Sequence, residues 1–221
     1  MRRIILIGIA IGLMIPGIAS VSLANSITAG DYVKLIDYNS ADNAGVMTYA
    51  VSHDQGKTTA FNYKTFCIQE NVYVWLHKWY PVASLTDTVG LYDNPAGTGP
   101  LNGAVDYLFY RYKTGAYDLT MTTDALEADL QKVFWSLQGS GPSFGSTGHL
   151  WDTDLENYNN NSSLQHSWGT KVINIYTTKN GNRVDIQNQL YNEPVPEPAT
   201  MLLFGTGLIG IAGIRKRLNQ N

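Results

Sequence analysis

The stretch that decides the fold is residues 58–69, TTAFNYKTFCIQ. Successive side chains of a β-strand point to opposite faces, so this stretch predicts a strand with two distinct faces. One face carries Phe61, Tyr63, Thr65 and Cys67, and the other carries Asn62, Lys64, Phe66 and Ile68. Similar runs predict further strands at residues 32–38, 46–52 and 72–80, with a turn at residues 54–57. The first half of the chain is therefore predicted to be a β-sheet.

After residue 100 the apolar positions recur every three or four residues, which is typical of helices. The first predicted helix carries Leu101, Ala104, Val105, Leu108 and Tyr112, and Gly115 is placed to end it. The second is predicted to begin at Asp124, with Glu127 as the return partner of a capping box, and to end at Gly139. Its core stripe is Leu126, Leu130, Val133, Phe134 and Leu137. Two helices are therefore predicted.

Residues 140–169 are rich in Gly, Ser and Asn and are predicted to be irregular. Two strands follow at residues 171–177 and 183–189, joined by Asn180-Gly181, a pair typical of hairpin turns. The predicted fold class is α+β. We expect residues 25–192 to form one β-rich barrel or sandwich with the two helices packed on it.

Composition limits the class of partner. Apolar residues make up 44% and charged residues only 15% of the chain, which suits a folded, exported β-rich domain. Residues 25–197 hold 10 basic and 18 acidic side chains, a net charge of −8 (10 minus 18). Such a domain is not expected to bind nucleic acid. The four histidines have no metal-ligand spacing, and we expect no metal and no cofactor.

The N-terminus has the three parts of a secretory signal peptide. Arg2 and Arg3 form the positive start, residues 4–18 are apolar, and Ser22-Leu23-Ala24 provides small residues at the cleavage site. We predict a signal peptide at residues 1–24 that signal peptidase removes.

The C-terminal segment, residues 193–221, also has three parts. A short motif, Pro196-Glu197-Pro198, is followed by an apolar run at residues 201–214 and by the basic cluster Arg215-Lys216-Arg217. A helix over residues 199–214 would be about 24 Å long, a little short of the hydrocarbon core, and the basic cluster would stay cytoplasmic. The predicted span is a transmembrane helix.

This order of motif, apolar span and basic cluster resembles the PEP-CTERM sorting signal of Gram-negative bacteria. The resemblance implies recognition by an exosortase, cleavage near Pro196-Glu197-Pro198, and a brief stay in the inner membrane. The final location that it implies is the cell envelope, the cell surface or the extracellular matrix.

The chain has a single cysteine, Cys67, so an internal disulfide is excluded. Three roles are open for its thiol: a small buried hydrophobe, an intermolecular partner, or a sulfur engaged in chemistry. On the second helix, Gln131 and Trp135 are four residues apart and share a face that is rotated away from the core stripe.

The two segments Phe66-Cys67-Ile68 and Gln131-Lys132-Val133-Phe134-Trp135 resemble the motifs of the thioester domains of bacterial surface adhesins. In that family, a Cys between hydrophobic residues bonds to a Gln that opens a helical segment ending in Trp. The resemblance implies a thioester between Cys67 and Gln131, with Phe66, Ile68 and Trp135 around it. It also implies an adhesin that attaches covalently to amine or hydroxyl groups on a target surface, without catalytic turnover.

Two other functions remain open at this level. The first is a structural protein of the biofilm or exopolysaccharide matrix that binds without covalent chemistry. The second is a hydrolase, for which the sequence offers no motif. We expect the protein not to be an enzyme.

Overall fold

A computed structural model of the chain describes residues 26–38, 45–70, 74–90, 98–117, 123–145 and 148–192. Ile27–Glu193 forms one compact unit, and a second unit comprises residues 1–26 and 194–221, of which only Ser26 is described. The predicted signal peptide and the predicted sorting tail therefore lie outside the described residues. Within the described ranges, no helix combines the length and the apolar character needed to cross a membrane.

The domain is built from nine strands, three α-helices and one short 3-10 helix in the part of the chain described. The strands are β1 (Tyr32–Tyr38), β2 (Met47–Ser52), β3 (Phe61–Thr65), β4 (Trp79–Thr86), β5 (Thr88–Val89), β6 (Gly99–Pro100), β7 (Thr170–Lys179), β8 (Asn182–Asp185) and β9 (Gln189–Asn192). The helices are α1 (Gly103–Lys113), α2 (Thr123–Gln138) and α3 (Leu150–Asn160), with a 3-10 turn at Ser162–Leu164. The α+β class is confirmed.

Seven strands form one antiparallel sheet; six follow one another in the order β3-β2-β1-β4-β7-β8, and the seventh, β9, pairs with β7. Strand β7 is long enough to pair with β8 along its second half and with β9 along its first half. The turn between β7 and β8 has positive φ at both Asn180 (54°) and Gly181 (80°), the geometry of a type I′ hairpin. The predicted closing hairpin is thus confirmed, and β9 extends it.

The two ends of this sheet are joined by hydrogen bonds beyond the end of β3. Cys67 pairs with Gln189 in an isolated antiparallel bridge. On either side of it, the N–H of Leu190 donates to the carbonyl of Phe66 and the N–H of Ile68 donates to that of Asn188, each at 3.0 Å. Because β9 is bonded to β7, these contacts connect the β3 edge of the sheet back to β7 through β9, as in a barrel.

Two apolar clusters lie on the two sides of this sheet. The first is enclosed by the strands and contains Ile27, Val33, Leu35, Tyr49, Val51, Tyr63, Tyr80, Val82, Ile173, Ile175 and Tyr191. The second lies between the sheet and the helices and contains Phe66, Ile68, Val105, Leu108, Phe109, Leu130, Phe134, Trp151, Val172 and Leu190 among others. Both faces of the segment after β3 are therefore covered, and Phe66, Cys67 and Ile68 are all fully buried.

The prediction of two helices is wrong, because a third helix, α3, occupies part of the stretch predicted to be irregular. Its inward face is not a stripe of aliphatic side chains. Trp151 packs edge-to-face on Tyr117, and the buried carboxylate of Asp154 accepts a hydrogen bond from Arg111 Nε at 2.9 Å. Tyr158 of the same helix stacks on Tyr107. An inward face made of two aromatic side chains and one ion pair gives little aliphatic periodicity, so this Asn- and Asp-rich stretch was not recognised as a helix.

The fourth strand is also displaced from its predicted position. The prediction placed it at residues 72–80, whereas β4 spans Trp79–Thr86 and residues 76–77 form a turn. His77 adopts a left-handed conformation there (φ 61°), and Trp75 is 75% exposed. Aromatic residues have a high strand propensity, and here that propensity gave the wrong boundary.

Helix α2 begins at Thr123, which places Asp124 inside its first turn.

Candidate functional site

One face of α2 lies against the segment that follows β3. Ala128, Gln131 and Trp135 are spaced at i, i+3 and i+7, so they lie on one stripe of the helix. Ala128 and Trp135 form a small buried cluster with Cys67, with the partly buried Met47 packed against it. This stripe is distinct from that of Leu130 and Phe134, whose side chains join the cluster between sheet and helices.

The side-chain amide of Gln131 pairs with the backbone of Cys67 on both of its polar atoms. The Cys67 N–H donates to Gln131 Oε1 at 3.0 Å, and Gln131 Nε2 donates to the Cys67 carbonyl at 2.5 Å. Both residues are fully buried. The amide thus satisfies two backbone groups that the sheet leaves unpaired, and the two bonds fix its orientation.

The same geometry places the sulfur of Cys67 against the carboxamide of Gln131. Sγ lies 3.4 Å from Oε1, although the residues are 64 positions apart in sequence. Because a C=O bond is about 1.23 Å long, the carbonyl carbon lies at most ~4.6 Å from the sulfur. Near-attack contacts are about 3–3.5 Å, which lies within the range of sulfur–carbon distances that this contact allows.

The protonation state of the sulfur follows from its burial. Desolvation, the largest cause, raises the pKa of the Cys67 thiol to about 12. The Trp135 side chain acts in the opposite direction, although its indole N–H completes no hydrogen bond within the described part of the chain. That N–H therefore acts on the sulfur as a nearby dipole. At neutral pH the sulfur is therefore a thiol.

A cluster of buried amides behind Cys67 was missed by the sequence analysis. Gln69, Asn188 and Gln189 are fully buried, and Asn188 Nδ2 donates to Gln69 Oε1 at 2.9 Å. This bond ties the segment after β3 to the residues that lead into β9. The one signal in the sequence is the polar run at residues 187–189, which periodicity assigned to the end of a hairpin strand.

The other predicted neighbours of the thiol point away from it. Phe66 contacts the rings of Tyr112 and Phe134, with centroids at 4.9 and 5.1 Å, on the helix side of the sheet. Ile68 belongs to the same cluster. These two residues therefore hold the segment that carries Cys67, whereas Trp135 lies beside the sulfur itself.

The predicted sorting residues Pro196, Glu197 and Pro198 and the basic residues Arg215, Lys216 and Arg217 lie outside the described residues. Comparison with protein families gives an independent result for this part of the chain. Residues 194–217 match the family model of the PEP-CTERM protein-sorting motif. The searches of curated proteins and of solved structures found no match.

The match covers the sorting tail and leaves the domain before it unassigned. It shows that the chain carries the motif predicted from Pro196-Glu197-Pro198 and the residues after it. The protein is therefore an exported, envelope-associated protein whose tail is a substrate for exosortase processing.

Proposed function

We propose that the domain holds an internal thioester between Cys67 Sγ and the side-chain carbonyl carbon of Gln131, and that this bond attaches the protein covalently to a target surface. The observation that carries the proposal is the 3.4 Å contact between Sγ and Gln131 Oε1 in a fully buried site. A buried cysteine needs no such neighbour, and a buried glutamine needs only hydrogen bonds. An acyl transfer also needs the nucleophile close to the acyl group, and this contact provides that proximity.

The contacts of Gln131 support the formation step. Sγ adds to the carbonyl carbon, and negative charge develops on Oε1, where the Cys67 N–H donates at 3.0 Å. A backbone donor aimed at that oxygen stabilises the tetrahedral intermediate. The thiol proton passes to Nε2, the C–N bond breaks, and ammonia leaves. The product is a thioester that closes a loop between residues 64 positions apart.

Burial supports the survival of such a bond. Cys67 and Gln131 are 0% exposed, and Ala128, Trp135 and Met47 pack around them, so water has no direct path to the carbonyl. A nucleophile on a target, an amine or a hydroxyl, would replace sulfur at the carbonyl and release the Cys67 thiol. Each molecule would react once, so we also propose that the protein is not an enzyme.

The sorting motif supplies the setting for this chemistry. We propose that signal peptidase removes residues 1–24, and that the tail anchors the chain briefly in the inner membrane of a Gram-negative bacterium. After exosortase processing, the domain would be displayed on the cell surface or in the extracellular matrix. A covalent adhesin needs that display, because its targets lie outside the cell.

The mass of the intact protein tests the thioester. Full-length protein is compared with its Cys67→Ala variant from the same expression, so that both carry the same processed ends. Wild type with a free thiol would be about 32 Da heavier than the variant. Thioester formation releases one ammonia, about 17 Da, and would reduce that difference to about 15 Da. We expect the smaller difference, and we expect methylamine to add about 31 Da to wild type only.

The larger mass difference would favour the alternative function, a matrix protein that binds without covalent chemistry. If the larger difference is found and native Cys67 reacts with iodoacetamide, the thioester is excluded. The protein would then be a non-covalent structural component of the biofilm or exopolysaccharide matrix.

Met47→Ala is expected to speed the spontaneous hydrolysis of the thioester by about tenfold, equivalent to ~1.4 kcal/mol in the barrier. Met47 is the partly exposed member of the packing around Cys67, so its truncation opens a path for water. The measurement is the gain of about 18 Da with time. Leu85→Ala is the control, because Leu85 is also partly buried and, like Met47, packs on the cluster enclosed by the strands, but it is not part of the packing around Cys67. Equal hydrolysis rates in the two variants would contradict this role for Met47.

A further inference from the structure

We propose that a cleft between α1, α3 and the segment that leads into β7 binds a neutral saccharide. The inference concerns a site that the sequence motifs do not include, and it does not depend on the proposed thioester. The cleft has a volume of about 300 Å³, at the lower end of the range in which proteins bind small molecules. The lining side chains on which the argument depends are Asp87, Leu101, Tyr158, Gln165, His166 and Ser167.

Tyr158 provides an aromatic ring in this cleft that is packed against other rings. It stacks on Tyr107 with centroids 5.6 Å apart, and Tyr107 packs in turn on Trp168 at 5.2 Å. Its hydroxyl lies over Gly103, where a Cβ would come within 2.3 Å of it. Tyr107 is buried, whereas Tyr158 is partly exposed. A ring held in this way, beside Leu101, offers an apolar surface to the C–H face of a sugar at little cost in conformational entropy.

The backbone of residues 165–170 is held firmly, although it lies outside helices and strands until β7 begins. The buried carboxylate of Asp106 accepts the N–H of Trp168 on one oxygen at 2.8 Å and the N–H of Thr170 on the other at 3.0 Å. Burial of a carboxylate is costly unless it is hydrogen-bonded, so these two bonds satisfy Asp106 and fix the segment together. The exposed side chains that this fixed backbone presents are those of Gln165, His166 and Ser167. Binding sites need such support from the residues behind them.

The polar atoms that remain in the cleft are mainly hydrogen-bond acceptors. Within the described part of the chain, Gln165 uses its Nε2 to donate to the carbonyls of Tyr158 at 3.0 Å and Asn159 at 3.4 Å, which leaves its Oε1 as an acceptor. His166 Nδ1 lies 2.8 Å from the carbonyl of Ser163. Because a carbonyl only accepts, Nδ1 carries the ring proton, and Nε2 of the neutral ring is an acceptor. The ligand must therefore bring donors, as hydroxyl groups do and ionised phosphate or carboxylate groups do not.

The charges in and around the cleft favour a neutral ligand. Asp87 pairs with Lys171, whose Nζ lies 2.6 Å from its Oδ1, and a cation that enters would meet the positive charge of Lys171. Both oxygens of Asp106 already accept backbone N–H groups. The excess of acidic residues on the domain opposes an anionic polysaccharide. A ligand that combines an apolar ring face with uncharged hydroxyl donors is a neutral sugar.

The test measures the binding of soluble polysaccharides by the retardation of full-length protein in native gels. Every protein carries Cys67→Ala, so that no thioester can form and the retardation reports non-covalent binding alone. The neutral probes are dextran, galactomannan and glucomannan, and the charged probes are alginate, which is anionic, and chitosan oligosaccharide, which is cationic. We expect at least one neutral probe to retard the protein, and neither charged probe to bind more tightly than that one.

Variants of the lining residues locate the binding. The double variant Gln165→Ala/His166→Ala removes two exposed acceptors and should raise the dissociation constant for the neutral probe about tenfold. Tyr158→Leu removes the aromatic ring and should weaken binding by at least about tenfold. Asn157→Ala is the matched control, because Asn157 is exposed on α3 and does not line the cleft, and its dissociation constant should stay within about twofold.

Absence of retardation by all three neutral probes would overturn the proposal, and so would retardation by alginate or chitosan oligosaccharide alone. Unchanged binding in the double variant, whose substitutions lie at the surface, would place the binding elsewhere and would also overturn it. None of these results bears on the thioester, because that bond is tested by mass on protein that keeps Cys67.

Discussion

Methylamine is expected to lower the melting temperature of the wild-type protein by about 10 °C. The thioester would join residues 64 positions apart, and no disulfide can accompany it because Cys67 is the single cysteine. In the chain-entropy treatment of cross-links, closing a loop of that length stabilises the folded state by ~4 kcal/mol. For a domain of this size each kcal/mol corresponds to about 2–4 °C. Aminolysis opens the loop and removes this contribution.

The measurement is a pair of thermal unfolding curves, with and without methylamine, on protein whose mass change has been checked. Cys67→Ala provides the matched control, because it has no thioester to open and its curve should not move. Its melting temperature should also lie near that of methylamine-treated wild type. If wild type gains the mass of methylamine and its curve stays in place, the cross-link does not stabilise the fold.

Local sequence patterns predicted much of the secondary structure around Cys67 and Gln131. The alternation at residues 61–65 predicted β3, and the stripe of Leu130 and Phe134 predicted the face by which α2 packs. Gln131 and Trp135 were placed on a separate face of α2 by helical spacing alone, and they do lie apart from that stripe. Elements of this kind are predictable because their periodicity is set by neighbours within one turn or one strand.

The parts that escaped prediction depend on residues far apart in sequence. Helix α3 is held by the pair Arg111–Asp154, 43 positions apart, which no local pattern reports. The bridge between Cys67 and Gln189 joins residues from opposite ends of the sheet. The proximity of Cys67 to Gln131 was likewise expected from a motif resemblance and not from periodicity.

Phe66→Ala is expected to lower the free energy of unfolding by about 3–5 kcal/mol, in the range found for truncation of a buried phenylalanine. Phe66 is fully buried, and its ring makes edge-to-face contacts with Tyr112, Phe134 and Phe109 at centroid distances of 4.9, 5.1 and 6.4 Å. Its carbonyl also accepts the N–H of Leu190. Truncation would leave a cavity between the sheet and the helices, directly beside the segment that carries Cys67.

Denaturant unfolding measures this loss, and Phe61→Ala is the matched control at the start of β3. Phe61 is half-buried and packs only at the margin of the cluster enclosed by the strands, so its truncation should cost about 1 kcal/mol. Both variants are best compared in the Cys67→Ala background, where no cross-link contributes to either curve. A loss for Phe66→Ala no larger than for Phe61→Ala would contradict the assignment of Phe66 as the anchor of the site. The larger loss would show that the packing on the helix side of the sheet stabilises the segment after β3, because Phe66 is the residue of that segment next to position 67.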